Sequence, residues 1–175
     1  MQEKIIFSGF GGQGILSAGR MLAYAGMIEG KNVSWLPSYG PEMRGGTANC
    51  HIVISDWEIC SPIIDNSDAV IVMNKPSLNK FEQAVKHNGI LIMDSSLIDI
   101  KPERQDITVF DVPATRIASD MNNISIANVI LLGKLISVTN IVSKQSIIEA
   151  FKHVLPEKKH FLLPEEIKAL EIGIA

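Results

Sequence analysis

The sequence predicts an α/β fold: a single doubly wound, mostly parallel sheet with an inserted hairpin and C-terminal helices. Three observations predict it. Short apolar runs alternate with segments of helical period over residues 5–112. A glycine cluster stands where the first run gives way to the first helix. From Pro113 onward the period is helical throughout.

The elements follow in order. Ile5-Ile6-Phe7-Ser8 is a short apolar run ending at Gly9, the pattern of a buried parallel strand. Ile15, Ala18, Gly19, Leu22, Ala25 and Gly26 recur at helical spacing and give a narrow face of small residues that can approach a sheet closely, with Gly30 as the stop. Val33–Leu36 is a second strand closed by Pro37. Thr47–Ser55 reads as a strand, Asp56-Trp57 as a turn and Glu58–Cys60 as its return strand, which together form the inserted hairpin. Ala69–Met73, Gly89–Asp94 and Ile107–Val112 are further strands. Between the first two, Pro76 and Ser77 open a helix with Leu78, Phe81 and Val85 inside. Ile126, Val129, Ile130, Gly133 and Ile136 form one face of a late helix. Ser143 caps a helix carrying Ile147, Ile148, Phe151, Val154 and Leu155, and Pro164-Glu165-Glu166 opens the last one with its acids against the dipole.

Length fits one domain over residues 1–175. With 46% apolar and 20% charged residues, the composition is that of an ordinary globular chain. The net charge is -3 and no segment is dense in Lys or Arg, which argues against nucleic-acid binding. No apolar stretch is long enough to span a bilayer, and Met1–Lys4 runs straight into a strand without a leader, so a cytoplasmic location is expected. The cysteines number two, Cys50 and Cys60. That is too few for an iron–sulfur cluster, which usually takes four, so an electron carrier has to sit on another chain.

Gly9-Phe10-Gly11-Gly12-Gln13-Gly14 fits G-x-G-x-x-G between a strand and a helix, the arrangement of a Rossmann-like sheet. Bare backbone N–H groups at a helix N-terminus stabilise an anion, and Gln13 adds an amide at the same mouth. Three readings stay open. A nicotinamide dinucleotide wants an acid at the end of the second strand to bind its ribose. That strand ends instead at Leu36-Pro37-Ser38-Tyr39, with Glu29 before it and Glu42 after it. The glycines serve equally to let the first helix meet the sheet closely. The third reading is the phosphate or pyrophosphate of another ligand, or the backbone of a partner chain.

Ser38-Tyr39-Gly40-Pro41-Glu42-Met43-Arg44-Gly45-Gly46 follows the second strand, beside the glycine turn at the carboxyl edge. Arg44, flanked by Gly45 and Gly46, can reach a carboxylate or phosphate; Tyr39 offers a ring and a hydroxyl; Glu42 is an acceptor that can also simply pair with Arg44. Two glycine-rich loops at one edge favour a shared ligand or interface surface.

The two segments together resemble the gamma-type subunit of 2-oxoacid:ferredoxin oxidoreductases. Ile6–Gly14 and Tyr39–Gly46 carry the likeness, with weaker agreement through Ser61-Pro62, Asp68–Met73 and Asn128–Gly133. The resemblance implies a complex that oxidatively decarboxylates 2-oxoacids on thiamine diphosphate, passes electrons through iron–sulfur clusters to ferredoxin, and transfers the acyl group to coenzyme A. It implies that this chain is the subunit holding neither thiamine nor clusters, near the core of the assembly, with partner subunits supplying both. Coenzyme A contact at Gly9, Gly11, Gly12, Gln13, Gly14, Tyr39, Glu42, Arg44 and Gly45 is a hypothesis on the same footing, as is a homodimer. The chain's own residues agree in lacking the Gly-Asp-Gly that starts the thiamine-pyrophosphate metal motif.

Other chemistry finds little support. No G-x-S-x-G occurs, and His51, His87, His153 and His160 are scattered. His51 adjoins Cys50, but neighbouring strand residues point to opposite faces. Asp94 and Asp111 end strands and read best as caps, and Trp35 with Tyr39 as packing or an aromatic wall. The competing function is a stand-alone nucleotide- or coenzyme-binding module; an independent dehydrogenase is disfavoured by the missing ribose acid. The identity of the 2-oxoacid is not written in this chain.

Overall fold

The structure is a computed structural model that describes residues 1–38 and 47–175. Six strands form one sheet in the order β2-β3-β1-β4-β5-β6. They are β1 (Gln2–Phe10), β2 (Asn32–Ser38), β3 (Thr47–Ser55), β4 (Ser67–Val72), β5 (Val85–Asp94) and β6 (Thr108–Val112). The helices are α1 (Ile15–Ile28), α2 (Lys75–Phe81), α3 (Ala114–Asp120), α4 (Ala127–Thr139), α5 (Lys144–Val154) and α6 (Leu163–Ile174). β1, β4, β5 and β6 pair in parallel, and β3 runs antiparallel to both β1 and β2.

The expected antiparallel insertion is therefore present, but its second arm is not Glu58–Cys60. Those residues form no strand. β3 spends both of its edges, one on β2 and one on β1, so a return strand at 58–60 has no free ladder to join. The other arm of the hairpin is β2. β3 is also buried over nearly its whole length, as a central strand must be.

Side-chain alternation along the strands feeds two cores. Ile5, Phe7, Cys50, Ile52, Ile54, Ala69 and Ile71 face α1 and the C-terminal helices. Ile6, Val53, Val70, Val72, Leu91 and Met93 face Leu78 and Phe81 of α2. Helices thus cover both faces, unequally. α4 lies deepest. The single expected face is in fact an all-round apolar surface, with Val129, Ile130, Leu131, Leu132 and Leu135 all buried. It crosses α6 where Gly133 meets Gly173, so closely that a Cβ on either would strike backbone of the other helix.

Local signals shape the ends. α1 stops in a left-handed residue, Gly30 (φ 73°): its N–H bonds Met27 O at 2.9 Å while Lys31 N–H bonds Gly26 O at 3.0 Å. Asn74 caps α2 by accepting from Ser77 N–H at 2.8 Å, and Ser143 caps α5 by accepting from Ser146 N–H at 3.1 Å. Val85, expected on the inner face of α2, instead opens β5. Among the described residues no helix is long and apolar enough to cross a membrane.

Candidate functional site

The chain leaves β1 for α1 and β2 on one side, and leaves β4 for α2 and β5 on the other. The crevice at the carboxyl ends of β1 and β4 is thus the switch point where open α/β sheets hold ligands. The glycine turn fills its mouth. Gly14 takes a left-handed conformation (φ 75°) as the N-cap of α1, with no side chain capping the helix and no acid in its first turn. Among the described residues no acid or side-chain cap shields the positive end of α1, and its first N–H groups lack intrahelical partners. Gly12 has φ 94°, and among the described residues nothing lies within 4 Å of where a Cβ would stand. A cavity of about 310 Å³ opens here, lined by Phe10, Gly11, Gly12, Gly14, Ile15 and Ala48. Bare backbone at a helix N-terminus is the kind of place where the N–H groups can receive a phosphate or pyrophosphate. Gly9 contributes closeness: a Cβ there would lie 2.7 Å from both Gln13 Oε1 and Ile15 Cδ1.

Gln13 is committed inside the protein. Its Oε1 accepts from Phe10 N–H at 2.6 Å and its Nε2 donates to Met73 O at 3.1 Å, tying the turn to the ends of β1 and β4. On the far flank Asn128, from the first turn of α4, donates to Gly14 O at 2.9 Å. A second cavity, about 450 Å³, lies on that side between Gly12, Gln13 and Met73 and the residues Leu97, Thr115, Ile124 and Ala127. Gly12 lines both cavities.

Tyr39, Glu42, Arg44 and Gly45 lie outside the described residues, within 39–46. The ends of that segment are placed: Ser38 pairs with Asn49, and Thr47 pairs with Phe10, the residue that begins the glycine turn. Trp35 packs on α1, where a Cβ at Gly19 would come 3.1 Å from its Nε1.

The remaining polar residues serve the fold. Asp94, fully buried at the end of β5, accepts from Ser96 N–H at 3.1 Å and from Thr115 N–H and Oγ1, which caps the segment entering α3. Asp111 stands exposed on β6. Glu29 accepts from Ser143 N–H at 2.6 Å and Ser146 Oγ at 2.8 Å. Partial burial opposes its ionisation, but these hydrogen bonds prevail and hold its carboxyl below the usual range. Cys50 faces the core, and burial pushes its thiol up to about 12; Cys60 is exposed. These two sulfurs do not make a thiolate set for a cluster.

Sequence reasoning missed the roles of Asn128 and Glu166. The signal for the first was a lone amide inside Ile126-Ala127-Asn128-Val129-Ile130-Leu131-Leu132, an otherwise apolar run. Glu166 was read as a dipole acid. It is 7% exposed, its Oε2 has no hydrogen-bond partner among the described residues, and burial followed by the neighbouring Glu165 carboxylate pushes its carboxyl up to about 7.

The family described as pyruvate ferredoxin/flavodoxin oxidoreductase matches residues 4–175. The 2-oxoglutarate synthase subunit KorC of Methanocaldococcus jannaschii is 38% identical over 169 residues, covering 93% of this chain and 90% of that protein. The ketoisovalerate oxidoreductase subunit VorA of Methanothermobacter marburgensis is 35% identical over 174 residues, and the match spans 98% of this chain but only 36% of that relative. The crystal structure of the keto/oxoacid ferredoxin oxidoreductase gamma subunit from Geobacter sulfurreducens superposes with a TM-score of 0.84 at 29% identity, covering 98% of this chain and 96% of that one.

Proposed function

The chain belongs to the pyruvate ferredoxin/flavodoxin oxidoreductase family, and from that membership we propose that residues 1–175 act as a gamma-type, non-redox subunit of a multi-chain 2-oxoacid:ferredoxin oxidoreductase. The complex would oxidatively decarboxylate a 2-oxoacid to its acyl-coenzyme A, with thiamine diphosphate and iron–sulfur clusters on partner subunits and ferredoxin as the electron acceptor. The observation that carries this reading is the end-to-end correspondence with separate subunit chains, 90% of the archaeal KorC and 96% of the Geobacter gamma subunit. The cysteine placement supports it, as does the apolar surface left bare: Ile124 and Leu97, 63% and 44% exposed, stand on the wall of one cavity and invite burial against another subunit. A stand-alone coenzyme-binding module is not favoured by that membership.

Within the complex, the glycine turn contacts coenzyme A in this proposal. When bound, coenzyme A supplies the thiol that accepts the acyl group. The residues here do the holding: the backbone N–H groups around Gly11, Gly12 and Gly14 and the start of α1, which has no acid in its first turn, receive the pyrophosphate. Contact of the coenzyme with Tyr39, Glu42, Arg44 and Gly45 belongs to the same proposal. A cytoplasmic location and self-association of the chain within the assembly belong to the same proposal.

Native purification followed by identification of the associated chains tests the reading. Larger thiamine- and cluster-bearing chains are expected with it. A lone species that oxidises a 2-oxoacid unaided would overturn it. For the coenzyme, amide exchange of residues 9–14 with and without coenzyme A decides, protection being the expected result.

A further inference from the structure

Gly14 has to be glycine for two reasons, and one of them is Asn128. Its φ of 75° disfavours a side chain, and a Cβ would lie 2.5 Å from Asn128 Nδ2 and 2.9 Å from its Cγ. The third glycine of the turn is thus a seat for an amide. Asn128 Nδ2 donates to Gly14 O at 2.9 Å, and the same oxygen accepts the first helical bond of α1 from Ala18 N–H at 2.9 Å. One carbonyl therefore joins the turn, α1 and α4. On the opposite flank Gln13 fastens the turn to β1 and β4. Between the two fastenings lies Gly12, with nothing among the described residues within 4 Å of a Cβ position.

The cost of this arrangement is visible. Asn128 is 4% exposed and its Oδ1 has no partner among the described residues. Its neighbours Val129, Ile130, Leu131 and Leu132 are apolar and buried. A half-satisfied buried amide is a poor choice for packing alone, where leucine would fill the volume without an orphaned acceptor. We infer that Asn128 is a positioning residue that holds Gly14, and through it the open N–H groups of the glycine turn, in the geometry that receives the anionic part of the ligand. This rests on the coenzyme-contact reading of the turn and deepens it.

Asn128→Leu in the assembled complex removes the donor and the orphaned acceptor at similar volume. The chain's unfolding midpoint should stay at the parent value while the Gln13 and Ala18 amides exchange faster. The KM for coenzyme A should rise about tenfold, with kcat at saturating coenzyme A and the KM for the 2-oxoacid unchanged. Asn128→Ser, whose hydroxyl falls short of Gly14, should give the same split. Parent-like exchange and coenzyme KM in a folded variant would overturn the inference. So would failure of both variants to fold, which would make Asn128 a structural residue only. If coenzyme A leaves the parent's turn amides unchanged, the coenzyme reading falls by itself. Inorganic pyrophosphate, titrated against the same variants, then decides the role of Asn128: weaker binding upholds it and equal binding ends it.

Discussion

Replacing Gly173 by alanine tests the helix crossing that carries α4. A methyl at Gly173 would overlap the Ile130 carbonyl oxygen and stand 2.9 Å from its carbon and 3.0 Å from Gly133 Cα. Carbon–carbon contacts settle near 3.5–4.0 Å, so the helices would have to part by about 1 Å. Overpacking costs about 1–3 kcal/mol, and the upper end applies because backbone on both sides cannot rotate away. Alanine returns about 0.5 kcal/mol of helix propensity, since Gly173 is near the end of α6. The net loss is about 2–3 kcal/mol, or a fall in Tm of about 5–10 °C for a chain this size. Thermal and urea unfolding of the purified chain would read it, with Gly30→Ala as the control. Gly30 has a φ of 73° and, among the described residues, nothing within 4 Å of a Cβ position, so only conformational strain of about 1 kcal/mol applies. If Gly173→Ala were no worse than the control, the contact would not be the constraint described here.

Three further outcomes follow from the titratable groups. Glu166 carries a raised carboxyl, so the folded protein binds its proton more tightly than the unfolded chain; stability should fall as pH rises from 4.5 through about 7. Unfolding free energies from urea titrations at pH 5 and pH 8 should differ by about 2 kcal/mol in the parent, and Glu166→Gln should flatten that dependence. Glu29 has the opposite sign: its stabilising effect is present above the ordinary carboxylate range and lost as pH falls through its lowered value. Being exposed, it should give only about 0.5–1 kcal/mol, read as the part of acid destabilisation that Glu29→Gln lacks. Under native conditions a maleimide should label Cys60 alone, and rapid loss of both thiols would contradict the burial of Cys50.

Much of the strand and helix layout was legible in the chain because its signals are local. Gly9–Gly14, Gly30, Ser143 and Pro164 mark ends through their own backbone chemistry, and each stands where expected. The neighbour of each strand was not legible. Thr47–Ser55 announces a buried strand, but nothing in its alternation says that it enters between β1 and β2, since pairing is decided by edges contributed from distant segments. Glu58–Cys60 failed for that reason. The site divided in the same way. Its glycines were visible as a motif, whereas the grip of Gln13 on Met73 and of Asn128 on Gly14 spans 60 and 114 residues and leaves no local trace.

The position of β3 also bears on how the chain can be assembled. In an uninterrupted crossover the first two strands lie side by side and form a unit as soon as the second is made. Here residues 1–38 hold two strands that never touch, kept apart by one that has yet to be synthesised. An amino-terminal fragment ending at Ser38 should therefore gain no sheet, while one reaching Ser55 holds the partners of both ladders. On the ribosome, the glycine turn can become rigid only after the wedge strand has emerged and paired Thr47 with Phe10.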